Sequence, residues 1–230
     1  MLVTCKKVYK SFGDHKVLKN INLEIPSGKI IGLLGKNGQG KTTLIKLLTG
    51  LLTPTSGTVR VNGRSVGITS KAKIAYLPER TYLDRNMTVR EILQYFSEFY
   101  NNFDMERAKK LLKELDLDID SKILHMSKGM QEKLQLILVM SRDAELYILD
   151  EPLGGVDPAT REYIIKTILT NFCEGASVLI STHLIADIEQ ILDEVIFIDK
   201  GEIVCTASAD ELRAKESSSI DEIFRKEFKW

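Results

Sequence analysis

The chain has 230 residues, 43% of them hydrophobic and 28% charged, which suits one large globular domain or two closely packed lobes. Its 32 basic and 32 acidic residues cancel, which argues against a broad electrostatic grip on nucleic acid. Cys5, Cys173 and Cys205 are odd in number and lack Cys-x-x-Cys spacing, so neither a disulfide framework nor a zinc site is indicated, and reduced cytosolic thiols are expected.

In chain order, Met1-Leu-Val-Thr-Cys-Lys-Lys has no apolar run long enough for a signal peptide. Val17, Leu18, Ile21, Leu23 and Ile25 are spaced for an antiparallel pair of strands. Lys29-Ile-Ile-Gly-Leu-Leu34 reads as a buried strand and 42–48 as a helix, with Gly35-Lys36-Asn37-Gly38-Gln39-Gly40-Lys41-Thr42 between them. That run fits G-x-x-x-x-G-K-[ST], in which backbone N–H groups wrap nucleotide phosphates, a lysine reaches the outer ones and a hydroxyl holds magnesium. Glycine allows the positive φ angles and close approach that such a wrap needs, and strand, loop and helix start is the order an anion site requires. Thr43 follows at the start of the helix.

Val59-Arg-Val61, Asn62-Gly63 and Ser65-Val66 predict a hairpin with the Asn-Gly turn that two-residue loops prefer. Ile74-Ala-Tyr-Leu77 reads as a short strand stopped by Pro78. Thr88 and Glu91 then form a capping box, and Ile92, Tyr95, Phe96, Phe99 and Phe103 share one helical face, expected to be core. Residues 108–115 continue helically, so about 80–140 reads as a helical insertion. The longest apolar runs, such as Leu136-Ile-Leu-Val-Met140, fall far below the ~20 residues that span a bilayer. Any membrane role is therefore expected to come through a partner. Apolar strands recur at 146–149, 178–181 and 195–198 with a helix between each pair, which implies right-handed crossovers and a mostly parallel sheet. Lys200-Gly201 starts a final hairpin, and 219–228 is a short amphipathic tail.

Leu146-Tyr-Ile-Leu-Asp150-Glu151-Pro152 is a hydrophobic strand ending in two acids. Beside a phosphate loop, Asp150 is placed to hold magnesium through water, and Glu151 sits where a water would attack the γ-phosphate.

With these motifs the chain resembles the ATP-binding subunit of an ABC transporter. Ser127-Lys128-Gly129-Met130-Gln131 resembles that family's signature, Gly155-Val156-Asp157 its D-loop, and Ser181-Thr182-His183 its switch histidine. The resemblance covers nearly the whole chain. It implies an α/β fold: a P-loop NTPase core with a mostly parallel sheet, an N-terminal antiparallel β subdomain and a helical insertion. The implied division is a core at about 1–79 and 142–214, a signature-bearing helical subdomain at about 80–141 and a tail at about 215–230.

The resemblance also implies ATP and Mg²⁺ as cofactors. Lys41 would neutralise β- and γ-phosphate charge, Thr42 would bind the metal with Asp150 behind a water, Glu151 would polarise the attacking water, and His183 would orient it. Phe12 matches the aromatic that stacks on adenine, with Tyr9 as the alternative. Ser127, Lys128, Gly129 and Met130 would meet the γ-phosphate of ATP held by a second subunit, so the partners expected are another copy or a sister ATPase, and an integral membrane permease. No nucleic-acid partner is expected, and the chain would sit at the inner face of the cell membrane.

Three positions depart from the commonest family pattern. Glu79 stands where a glutamine usually follows the short strand, and its carboxylate can still serve Mg²⁺. Lys128 and Met130 replace a glycine and a glutamine of the signature. The Ser-Lys-Gly-Met form and the ending Ser219-Ile-Asp-Glu-Ile-Phe224 resemble drug-, peptide- and antibiotic-exporter systems. Docking of the membrane subunit is expected on a rim of the insertion, at 82–85. Two other functions compete: a soluble ATPase acting on a nucleic-acid or protein assembly, and an ATP-dependent clamp with little turnover.

Overall fold

A computed structural model describes residues 1–228. The chain opens with an antiparallel pair, β1 (Val3–Phe12) and β2 (His15–Ile25), then enters the molecule's centre as β3 (Ile30–Leu34) and the first helix, α1 (Lys41–Leu48). β4 (Ser56–Val61) and β5 (Arg64–Ser65) return to the first sheet, whose order is β2-β1-β4-β5. Asn62 and Gly63 make the turn with φ of 51° and 71°, the paired positive values of a type I′ hairpin. A short helix, α2 (Ile68–Ala72), precedes β6 (Ile74–Leu77).

Three helices follow: α3 (Val89–Phe99), α4 (Met105–Glu114) and α5 (Lys128–Met140). Thr88 caps α3 by accepting the Glu91 N–H at 3.2 Å while Glu91 accepts the Thr88 N–H at 2.7 Å. The rest of the chain alternates β7 (Leu146–Asp150), α6 (Pro158–Asn171), β8 (Ser177–Thr182), α7 (Ile185–Ile188) and β9 (Glu194–Asp199). It ends with β10 (Glu202–Ser208), α8 (Ala209–Glu216) and α9 (Ile220–Glu227). The second sheet has the order β10-β9-β3-β8-β7-β6, parallel throughout except for the β9–β10 hairpin.

Side chains alternate between the two faces of that sheet, so each strand feeds two cores. Ile31, Leu33, Ile148 and Leu179 face α1 and the antiparallel sheet. Ile30, Leu34, Tyr147, Leu149 and Ile180 face the helical insertion, α6 and the tail. β3, β7 and β8 are buried along their whole length, which is why they read as unbroken apolar runs. The buried Arg142 ties the insertion to the sheet: it donates to the carbonyls of Ile74 at 2.6 Å and Ala72 at 2.9 Å and lies 3.8 Å from the Tyr100 ring.

The aromatic face of α3 differs from expectation. α3 buries Val89, Ile92, Leu93 and Phe96, while Tyr95 and Phe99 stack on each other in the open. Phe103 lies beyond the helix and is partly buried. The stripe is too wide for one buried side, so its outer edge faces solvent. The tail, in contrast, is part of the core, with Ile220, Ile223 and Phe224 buried.

Candidate active site

The phosphate loop connects the C-terminal end of β3 to the N-terminus of α1, and two glycines in it have clear steric reasons. Gly40 has φ 105°, and a Cβ on Gly35 would come within 2.6 Å of the Ile198 carbonyl oxygen. The loop encloses a cavity of about 360 Å³ lined by Lys36, Asn37, Gly38, Gly40, Lys41, Thr42, Thr43, Glu79 and Glu151, with Val17 from β2 at its edge.

Lys41 is buried, and its ammonium donates to the carbonyls of Gly35 at 2.7 Å and Lys36 at 3.3 Å. It also pairs with Glu151 Oε1 at 3.1 Å. The other Glu151 oxygen lies 2.9 Å from His183 Nδ1, at the end of β8. Glu151 itself has φ 51°, a conformation uncommon for any residue but glycine or asparagine. Its N–H donates to the Ser181 carbonyl at 3.0 Å and lies 3.2 Å from Ser181 Oγ.

Asp150 is 1% exposed and ends β7 opposite Ser181 of β8. Its Oδ1 accepts from Ser181 Oγ at 2.5 Å and Thr42 Oγ1 at 3.3 Å, whereas Oδ2 is buried with no hydrogen bond among the described residues. Burial pushes its carboxyl above the ordinary range, and the charges of Glu151 and Glu79 add to this. The two hydroxyl donors oppose the shift.

Five site residues named from the sequence thus converge: Lys41, Thr42, Asp150, Glu151 and His183. Glu79 lines the same cavity, while a neighbouring basin of about 650 Å³ brings Lys128 and Gly155 up to Glu79, Glu151 and His183. Lys128 Nζ pairs with Glu132 Oε1 at 3.5 Å. Ser127 caps α5, its Oγ accepting the Met130 N–H at 3.2 Å. It lines neither cavity, nor do Gly129 and Met130. Asp157 caps α6, accepting from Thr160 N at 3.0 Å and Thr160 Oγ1 at 2.6 Å.

Phe12 is half exposed at the end of β1, with Lys10 Nζ 4.9 Å from its ring centroid, and Tyr9 is exposed to a lesser degree. Lys36 and Gln39 direct their side chains outward, to the Phe228 carbonyl and the Lys200 N–H.

Ser181 and Gln135 take part in the site in ways that no motif in the sequence implies. Ser181 is a hydroxyl at the end of an otherwise apolar strand, placed by the β7–β8 register against Asp150. Gln135 is a buried amide within the apolar part of α5, and its oxygen accepts the Tyr82 N–H at 3.3 Å, which ties the segment after Glu79 to the signature helix. In both cases a polar residue in a buried run was the available signal.

The ABC transporter family matches residues 18–154. The uncharacterized ABC transporter ATP-binding protein YhaQ of Bacillus subtilis is 34% identical over 217 residues, covering 92% of this chain and 73% of the relative. The Nod factor export ATP-binding protein I of Cupriavidus metallidurans is 31% identical over 219 residues, with 92% and 72% covered. A solved ATP binding subunit of an ABC transporter superposes with a TM-score of 0.89 at 28% identity, covering 98% of this chain and 99% of that one. A match of this extent, on a fold and a phosphate loop of this form, identifies the chain as a member of the ABC transporter family, an ATP-binding subunit and an ATPase.

Proposed function

We propose that this ATPase drives an export system through a separate membrane subunit, hydrolysing ATP in sites shared between two ATPase chains. The observation that carries the chemical part is the Lys41–Glu151 pair at 3.1 Å with His183 on the second carboxylate oxygen. In this arrangement the phosphate-binding cation and the water-binding carboxylate neutralise each other. Phosphates compete for Lys41, an attraction of ~4 kcal/mol for two unit charges about 4 Å apart near a protein surface. Release of Lys41 leaves Glu151 free to accept a hydrogen bond from water, with His183 beside it to orient that water.

The donor set fits a magnesium ion. Thr42 Oγ1, Asp150 and Glu79 are all hard oxygen donors, and the buried Asp150 Oδ2 lacks the partner that a cation or its water would supply. Mg²⁺ held there would offset phosphate charge. Glu79→Gln is expected to keep or raise ATP turnover, measured by phosphate release, because it removes one negative charge and retains an oxygen. Complete loss would refute the permissive role given to Glu79.

The position of Ser127 supports the shared-site reading. Its hydroxyl and the N-terminus of α5 offer donors and a favourable dipole to an anion, outside the cavity that holds this chain's own Lys41. A second copy or a sister ATPase would bring that anion as the γ-phosphate, with Lys128, Gly129 and Met130 beside it and the turn before Asp157 nearby. Adenine would stack on Phe12. In domain terms, residues from about 80 to 141 would form the lobe that carries the signature, with about 1–79 and 142–214 as the nucleotide-binding core and the tail beginning at about 215.

Support for a membrane partner comes from an open groove of about 710 Å³ between the lobe and the core. It is lined by Leu51, Ile68, Tyr82, Phe96 and Phe99, of which Ile68 is 91% and Phe99 64% exposed. An apolar surface of this kind fits a short helix from a partner. Tyr82 belongs to the rim expected from the sequence, although Leu83 beside it is buried. No helix among the described residues is long and apolar enough to cross a membrane, so docking of this kind would hold the chain at the inner membrane face. The export direction is supported by the Ser-Lys-Gly-Met signature and by the similarity to a Nod factor export protein. Ile68→Asp is expected to abolish co-sedimentation with membranes while leaving the melting temperature within about 1 °C, since an exposed position carries little stability. Undiminished co-sedimentation would remove the groove from the interface.

A further inference from the structure

Two side chains of the phosphate loop hold the C-terminal part of the chain. Lys36 Nζ donates to the Phe228 carbonyl at 2.9 Å, and Gln39 Oε1 accepts the Lys200 N–H at 2.5 Å. The main chain of Lys36 serves the opposite side, because its carbonyl accepts Lys41 Nζ at 3.3 Å and the Gln39 N–H at 3.4 Å. Residue 36 is therefore both part of the cage around the phosphate-binding ammonium and an anchor for the last turn.

That turn is firmly seated. Phe224 and Phe228 meet the buried Phe197 edge-on, with centroids 5.6 and 5.9 Å away, and lie 4.5 Å from each other. Phe197 pairs in register with Leu34, the residue before the loop begins. Ser219 and Glu222 form a capping box at the start of α9, and the Asp221 N–H donates to Glu189 Oε2 at 3.0 Å. Loop and tail are thus two ends of one packed unit.

We propose that α9 is a strap on the phosphate loop, and that nucleotide loading and strap seating are coupled. The inference rests on the nucleotide site described above and adds its regulation. Reaching an outer phosphate takes Lys41 away from the Lys36 carbonyl, and the Lys36 side chain on the Phe228 carbonyl then holds that peptide in place. By reciprocity, a seated strap pre-organises a glycine-rich loop and reduces the freedom lost on binding. A partner that lifts α9 would weaken nucleotide binding without entering the site.

The test uses Mg·ADP and calorimetric titration. Ending the chain after Glu227 is expected to weaken ADP binding about five-fold, the lower end of typical coupling. In a Lys36→Met background the same truncation is expected to weaken binding less, because the contact to residue 36 is already gone and only the Phe228 ring packing remains to lose. A truncation without effect, or an equal effect in both backgrounds, would overturn the strap alone. Failure of the unaltered chain to bind ADP would overturn the nucleotide site and the strap together.

Discussion

Glu151→Gln is expected to lower ATP turnover by about 10²–10⁴-fold, the range associated with loss of a positioned general base. Glutamine keeps the size and planar end of the side chain, and its oxygen can still meet His183, which lies 2.9 Å from the carboxylate. It accepts a proton from water far less readily. The same change removes the charge that holds Lys41 at 3.1 Å, so the ammonium becomes freer to meet phosphates. Binding should therefore be retained or tightened while hydrolysis slows by that factor. A chain that binds ATP and cannot consume it should accumulate as the ATP-bridged dimer, visible as a doubled mass by light scattering with Mg·ATP. Persistent monomers at high protein concentration would contradict the shared site. The φ of 51° at residue 151 is as awkward for glutamine as for glutamate, so the substitution adds no new backbone strain.

What was legible in the sequence depended on how local the cause was. The phosphate loop could be read because a short stretch of backbone determines it, with glycines placed where φ is positive or a Cβ would collide. β3, β7 and β8 could be read because strands buried on both faces are continuously apolar. Tyr95 and Phe99 lie outside the core that their spacing predicts, because periodicity shows that a stripe exists and not where its edge meets solvent. α2 is only five residues long, and no periodic pattern marks so short a helix. The Lys41–Glu151 and Asp150–Ser181 contacts depend on strand order and register, which bring distant segments together. Ser127 is different again, since its proposed partner lies on another molecule.

Asp150→Asn is expected to stabilise the nucleotide-free chain and to cripple the enzyme. The unaltered carboxylate is buried, leaves Oδ2 without a hydrogen bond among the described residues, and feels the charges of Glu151 and Glu79. An asparagine oxygen can keep the Ser181 and Thr42 hydroxyls, while its amide would face those carboxylates as a donor. Removing one unsatisfied buried acceptor contributes on the order of 1 kcal/mol, or about 2–4 °C in melting temperature for a chain of this length. The pH dependence has a definite sign. Burial raises the folded-state carboxyl above its ordinary value of 3.8, so the native state is favoured when Asp150 is protonated and loses that advantage as pH rises through the raised value. The asparagine variant should therefore match the unaltered chain below about pH 4 and exceed it at neutral pH. Mg·ATP should reverse the order, because the unaltered site gains a cation for its free oxygen and the variant does not. Turnover should fall about 10–100-fold, as when a group supporting a bound metal is lost. Equal melting temperatures at neutral pH without nucleotide would show that Asp150 is not held against its own charge, and the cost of burying it would have no basis.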